Sequence, residues 1–266
     1  MKKYFGGLIV VALGGLILAT APASAGLTAD ELKCELGAGG AGAKTSPAIG
    51  GCRIKCVQAA LKAAGHAADC KYPYASGSAV ETCVGAALGK GSAAEVKACV
   101  KDCPECAPYS GDCATEATTR MNNLSNTVGQ LLNRIYCEDP GSKEAAKCQD
   151  AVTKTLGKFV AAKAKCYQGC RAAEFKGKVP PGSCLPPVSD PKTAACIAAA
   201  EAKAAAAIDK TCPAANQPNC FANPPPMGTA LPNGAAWVAG VELGVDYAQP
   251  NTYCQEVGSP SGAFLE

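Results

Sequence analysis

The chain has 266 residues, with 25 Lys and Arg against 22 Asp and Glu. This balance gives no electrostatic reason to expect a nucleic acid or an anionic membrane as a partner. Aromatic residues make up only 5% of the chain, so a core of large side chains is hard to build, but the 18 cysteines are an even number that can form cross-links. The composition therefore predicts a disulfide-rich protein that binds no nucleic acid.

Residues 1–25 have the pattern of a secretory signal peptide. Lys2 and Lys3 give a positive start, residues 8–18 form an apolar run, and small residues up to Ala25 form a cleavage site. The apolar run is too short to span a bilayer with ease, and no later stretch is long enough to form a transmembrane segment. We expect cleavage near Ala25 and a secreted or periplasmic protein whose cysteines become oxidised.

Two sets of six cysteines share their spacing. The separations are 18, 4, 14, 13 and 16 positions in the first set and 18, 4, 14, 12 and 16 in the second. Chance does not readily produce such agreement, so the spacing indicates an internal duplication. The first set is Cys34, Cys52, Cys56, Cys70, Cys83 and Cys99, and the second set is Cys148, Cys166, Cys170, Cys184, Cys196 and Cys212.

The duplication divides the chain and predicts its fold class. We expect a mostly α, disulfide-rich protein in which two duplicated helical hairpins are joined by a core helix, with a short extended C-terminal arm. The core helix is predicted from an apolar stripe of Met121, Leu124, Val128, Leu131 and Ile135. The segments are the signal peptide 1–25, the first repeat 26–113, the linking amphipathic helix 114–140, the second repeat 141–220 and the arm 221–266.

The second repeat shows its hairpin most clearly. Apolar residues and cysteines three or four positions apart predict a helix over 142–176. A second helix is expected from Asp190, a capping residue followed by proline at the first helical position, to about Lys210. Cys212 does not share a helical face with Cys196, so it should lie beyond the end of that helix. The predicted disulfides are Cys148–Cys212, Cys166–Cys196 and Cys170–Cys184.

The first repeat should form the same pairs. Capping-box signals at Thr28/Glu31 and Ser78/Glu81 predict two helix starts. Residues 37–51 are rich in glycine and include a proline, so most of this stretch is expected not to be a good helix. The corresponding disulfides are Cys34–Cys99, Cys52–Cys83 and Cys56–Cys70. Cys103 and Cys113 are expected to form a local pair, and Cys106, Cys137, Cys220 and Cys254 are expected in disulfides with no partner assigned.

The C-terminal arm follows three prolines at positions 224–226. Apolar residues alternate over 237–247, which predicts a strand or an extended arm lying on the helices. A lone strand needs a partner, so the arm could associate with another protein or with a second copy of the chain. The residues proposed for that contact are Trp237, Val241, Leu243 and Tyr247.

Catalytic signatures are weak. His66 is the only histidine, and its small-residue surroundings are typical of a surface position. Cys99, Cys103 and Cys106 have the spacing of an iron–sulfur motif, and Cys103 and Cys106 that of a thiol–disulfide exchange motif, but neither has its usual context. We therefore predict no catalytic residues, no metal ligands and no cofactor.

Two alternatives stay open. Cys52/Cys56 and Cys166/Cys170 lie at i, i+4 and could present thiolates suited to Cu(I) or Zn. In these pairs alone the chain resembles the bacterial copper-storage bundles, although Cys70 and Cys184 recur in loops away from any bundle axis. The second alternative is a secreted enzyme of unknown class, for which no pair of carboxylates stands out.

The segment from CQDAV to AAAAIDKTC resembles uncharacterised Ala/Lys/Cys-rich secreted proteins of Gram-negative bacteria. The resemblance covers mainly the second repeat and rests on composition as much as on motifs. It implies a helical fold and export, and it implies no activity. The sequence hypothesis is therefore an exported, disulfide-stabilised helical scaffold or binding protein without a catalytic site, whose partner is unknown.

Overall fold

The computed structural model describes residues 27–63, 70–104, 112–140, 142–221 and 231–248, and for 242–248 it describes the backbone only. These residues form six α-helices and two short 3-10 turns, and no strand. The prediction of a mostly helical, disulfide-rich fold is confirmed. The helices are α1 (Ala29–Lys62), α2 (Ala79–Ala98), α3 (Cys113–Ile135), α4 (Lys143–Phe175), α5 (Pro191–Thr211) and α6 (Gly234–Ala248).

The helix starts are set by capping side chains, several of which the sequence predicts. Thr28 and Glu31 form a full capping box at α1, in which the Glu31 amide donates to Thr28 Oγ1 at 3.1 Å. Ser78 caps α2, and Asp190 caps α5, which has proline in its first turn. Each cap satisfies an amide that the first helical turn leaves without a carbonyl acceptor.

The helices pack as two antiparallel hairpins, α1–α2 and α4–α5, that lie against each other through α1 and α4. Along this contact Gln168 Nε2 donates to the Leu36 carbonyl, Gly157 faces Pro47, and Gln58 Nε2 donates to Asp150 Oδ2 at 2.7 Å. Residue numbers rise on one helix as they fall on the other, so α1 and α4 run antiparallel. The main hydrophobic core lies between the hairpins.

The glycine-rich stretch 37–51 is helical, which corrects the expectation that most of it is a poor helix. It forms the middle of α1, with Pro47 inside the helix. Small residues here allow close packing: a Cβ at Gly37 would overlap the side chain of Ala98, and a Cβ at Gly50 would come within 3.0 Å of Thr153. Close contact with α2 and α4 offsets the low intrinsic helix propensity of glycine.

The C-terminal arm is also corrected, because residues 234–248 form helix α6 and not a strand. Asn233 Oδ1 accepts from the Ala236 amide, and Asp209 on α5 accepts from the Gly234 amide at 2.7 Å. Trp237 and Val241 are buried one helical turn apart. The helix satisfies its own backbone hydrogen bonds, whereas a lone strand would leave them without partners.

The linking helix is present as α3, with Asp112 as its cap. Met121, Val128 and Ile135 of the predicted stripe are buried, while Leu124 and Leu131 are partly buried. Most of its contacts are with α1 and α2, and only a few are with α4. Thus α3 packs chiefly on the first hairpin, as α6 packs on α4 and α5.

None of the helices in the described part of the chain is long and apolar enough to cross a membrane. The predicted signal peptide, residues 1–25, lies outside the described residues. The division into repeats stays a prediction.

Candidate functional site

Disulfides join the ends of both hairpins. The first hairpin is cross-linked at sequence separations of 65, 31 and 14 residues and the second at 64, 30 and 14. These are the same six pairs as those predicted from helical spacing. Cys99 and Cys212, the last cysteine of each set, lie at the C-caps of α2 and α5. The pairs are Cys34–Cys99, Cys52–Cys83, Cys56–Cys70, Cys148–Cys212, Cys166–Cys196 and Cys170–Cys184.

Two further disulfides lie outside this framework. Cys103 is bonded to Cys113, as the sequence predicts for a local pair. Cys137, just after α3, is bonded to Cys220, and this bond joins the two halves of the molecule. The spacing of the cysteines in the sequence predicted no partner for Cys137 or Cys220. Cys106 and Cys254 lie outside the described residues.

Sulfur atoms cluster where two disulfides lie side by side. Cys34 Sγ is 3.6 Å from Cys113 Sγ, and the ligand atoms of Cys34, Cys99 and Cys113 all lie within 4.8 Å of one another. All three are buried and disulfide-bonded. In this oxidised state the cluster offers no thiolate, and Cys52/Cys56 and Cys166/Cys170 are likewise bonded to other cysteines.

Buried arginines are a second feature. Arg171 of α4 is 4% exposed and lies between Glu35 of α1 and Glu174 of its own helix, with Nη2 3.6 Å from Glu35 Oε2. Arg120 of α3 donates from Nε to buried Glu95 of α2 at 2.6 Å. Burial raises the pKa of Glu95 despite the hydrogen bond from Arg120, which lowers it. In both places an arginine meets an acid across a helix–helix contact.

Arg53 of α1 is different, because it is fully buried and hydrogen-bonded to no acidic side chain among the described residues. Its guanidinium lies 5.3 Å from the centre of the Tyr136 ring. Tyr136 donates to Asp150 Oδ1 at 2.8 Å and accepts from Thr153 Oγ1 at 3.3 Å. Burial, and then the nearby Asp150 carboxylate, raise the pKa of Tyr136. The phenol therefore stays neutral and presents its ring face to the arginine.

The loop after Cys70 is tied to α1 by the Cys56–Cys70 disulfide and contains two tyrosines. Tyr72 is held on α3, since its amide donates to Asn133 Oδ1 at 2.9 Å and its ring lies against Gly129. Tyr74 packs on Tyr72 edge to face, with 5.4 Å between ring centres. The sequence gives only weak signals for this arrangement: a charged residue beside a core cysteine, and two tyrosines in a short loop.

A shallow groove of about 290 Å³ lies on the second hairpin between the 186–188 loop and the faces of α4 and α5. Its wall is mostly apolar, from Pro186, Pro187, Val188 and Ile197, and it also includes Lys163 and Glu201. The groove holds no pair of acids that could serve as general acid and base.

The remaining residues singled out in the sequence fall in three groups. Trp237 and Val241 are buried in the core, where Trp237 meets Phe221 at 4.8 Å between ring centres, so these two are not available to a partner. Leu243 and Tyr247 belong to α6, but their side chains are not described. His66 lies outside the described residues.

No protein-family model, curated protein or solved structure matches this chain.

Proposed function

We propose that this chain is an exported, disulfide-stabilised helical scaffold that acts by binding and not by catalysis, in the periplasm or outside the cell. The observation that supports it most is the disulfide framework, which fastens both hairpins near their helix ends. Disulfides persist in oxidising compartments. They also compensate for a core that contains few large side chains.

The surface chemistry of the described residues agrees with this role. The one groove described above is shallow and mostly apolar, whereas an enzyme site usually brings titratable groups together in a deep pocket. The strongest acid–base contacts, Glu95–Arg120 and Arg171 with its two glutamates, join helices inside the fold. They stabilise the packing and are placed away from the groove lining.

The experiment is the intact mass of the protein, purified from the exported fraction with a thiol-blocking reagent present. The proposal predicts that all 18 cysteines pair in disulfides, which gives a mass 18 hydrogens below the reduced value. It also predicts an N-terminus near Gly26 and no alkylated cysteine. Extensive alkylation of the native protein, or an unprocessed N-terminus on protein retained in the cytoplasm, would contradict it.

A second candidate function, a thiolate site for Cu(I) or Zn, is favoured by the sulfur cluster at Cys34, Cys99 and Cys113. Reduction of Cys34–Cys99 and Cys103–Cys113 by a dithiol would release four thiols close together, a set that suits soft metals. This function predicts metal in stoichiometric amounts on protein isolated anaerobically with a reductant. Absence of bound Cu or Zn under those conditions would exclude it.

A further inference from the structure

The guanidinium of Arg53 is buried without a hydrogen-bond acceptor among the described residues. The side chain is fully buried, and its Nε, Nη1 and Nη2 have no hydrogen-bond acceptor within the described part of the chain. Burial lowers the pKa of Arg53 to about 10, so the guanidinium is still protonated at neutral pH. The Tyr136 ring attracts the cation, but a ring face does not replace the acceptors that a guanidinium needs.

Two other arginines, the buried Arg171 and the partly buried Arg120, show what is missing at Arg53. Arg171 is within reach of Glu35 and Glu174, and Arg120 is bonded to Glu95 and Glu116. Asp139 is near enough for its charge to favour protonated Arg53, but it accepts no hydrogen bond from the guanidinium in the described part of the chain. A buried charge without a bonded counter-charge is strongly destabilising, so an acceptor is expected beside this guanidinium.

Tyr74 supplies a second donor at the same place. Its hydroxyl is buried and has no hydrogen-bond partner among the described residues. Burial raises the pKa of Tyr74, and the positive charge of Arg53 lowers it. The Cys56–Cys70 disulfide ties the start of this loop to α1 three residues after Arg53, and the edge-to-face contact with Tyr72, whose amide donates to Asn133, holds the Tyr74 ring.

We propose that Arg53 and Tyr74 form a binding site for a small monovalent anion of the halide or carboxylate type. The guanidinium would donate two N–H groups to the anion and Tyr74 its O–H, so that all three donors gain an acceptor. One negative charge balances one arginine. Because the guanidinium is fully buried, the proposed ligand is a small ion. Because the anion binds the folded chain, it stabilises the fold, and this role does not depend on the scaffold function.

The test is thermal unfolding of the full oxidised chain at constant ionic strength, with chloride or acetate replacing a bulky sulfonate anion. The melting temperature should rise along a saturating curve by about 5 °C, as expected for a ligand that binds the native state only. Arg53→Met should abolish this rise. Methionine fills a similar volume without a charge, so the variant should fold without the anion.

A matched tyrosine pair keeps the test decisive if Arg53→Met fails to fold. Tyr74→Phe removes the proposed donor and should lower the affinity for the anion by about tenfold, the usual effect of losing a hydrogen bond to a charge. Tyr72→Phe removes a hydroxyl that is bonded to Asn126 and should leave the anion response unchanged. Equal responses in the two variants would overturn the proposal.

Direct evidence would come from a crystal of the protein grown or soaked in bromide. The anomalous signal should place a bromide within about 3.5 Å of an Arg53 nitrogen and of the Tyr74 oxygen. The proposal would be overturned if the crystal in bromide showed ordered water at that position and the melting temperature were the same in chloride, acetate and sulfonate. Those results would show that water satisfies these donors.

Discussion

The two hairpins share a covalent framework and differ in the residues beside it. Helices α1 and α4 have 34 and 33 residues, and their three disulfides close nearly identical separations. Yet Arg53 follows Cys52 in the first hairpin, whereas Tyr167 follows Cys166 in the second, and both are buried. The cysteines are bonded at nearly the same spacing in both hairpins, while a buried charge in one hairpin stands where an aromatic ring stands in the other.

The loops show the same contrast. Tyr72 and Tyr74 follow Cys70; Tyr72 packs against α3, and Tyr74 packs edge to face on Tyr72. Pro186 and Val188 follow Cys184 at the same distances and line the open groove. The disulfides therefore cross-link both hairpins in the same way, whereas the loop and the residue after the second cysteine give each hairpin different surroundings.

Removing the longest disulfide of each hairpin tests whether the two disulfide frameworks stabilise the fold equally, and this change should have the greatest effect. Replacing Cys34 and Cys99 by serine, or Cys148 and Cys212 by serine, should lower the free energy of unfolding by about 4 kcal/mol in each case, because the closed loops are almost the same length. Denaturant titration of both double variants measures this. A difference of more than about 2 kcal/mol would show that the halves are not energetically equivalent.

Removing the ring of Trp237 tests the correction at the C-terminus. Trp237→Ala should lower the free energy of unfolding by at least about 3 kcal/mol, since the ring is 2% exposed and packs on Phe221. Met121→Ala is the matched change on α3, the helix that packs on the first hairpin. Chemical denaturation of both variants compares the two covering helices, and no loss of stability in Trp237→Ala would contradict a buried α6.

Glycine substitutions in α1 should have smaller effects of opposite sign. Gly37→Ala should destabilise by about 2 kcal/mol, because the new methyl group would overlap Ala98 of α2. Gly42→Ala has open space around it and should stabilise by about 0.5 kcal/mol through helix propensity. If both variants behave alike in urea titrations, the close contact between α1 and α2 is wrong.

The caps of α2 and α5 should differ in how their contribution to stability depends on pH, and this difference should be the smallest of the effects. Hydrogen bonds from Thr193 lower the pKa of Asp190, so this carboxylate stabilises the fold at neutral pH. That contribution is complete above the unfolded pKa and is lost as the pH falls through the lower folded value, below about pH 4. Ser78 caps α2 and does not titrate there. Asp190→Ser should therefore flatten the acid side of the stability curve, and an unchanged curve would argue against the cap.

Cysteine spacing and caps predicted a large part of the fold. A helical period in 142–176 and the Asp190-Pro191 start were enough for α4 and α5, because these signals are local. The two errors, residues 37–51 and the arm, have a common cause. Glycine residues and an alternating apolar pattern have only weak preferences for one type of secondary structure. Packing against α2, α4 and α5 therefore determined the structure of these two segments.

The buried arginines could not be predicted in the same way. Arg53 and Arg171 are ordinary charged residues in the sequence, and their burial depends on the antiparallel contacts of α1 with its neighbours. Those contacts join residues more than a hundred positions apart, such as Leu36 and Gln168. A single sequence contains no local signal for such a pairing, so neither the acid partners of Arg171 nor the donors around Arg53 could be foreseen.

The most informative measurement is disulfide mapping of the native protein. Non-reducing digestion with blocked thiols, followed by mass spectrometry, should identify Cys34–Cys99 and Cys148–Cys212 together with their nested partners, and Cys137–Cys220 as the bond between halves. Peptides that join Cys52 to Cys56 or Cys166 to Cys170, or free thiols at these positions, would contradict the shared framework of the two hairpins.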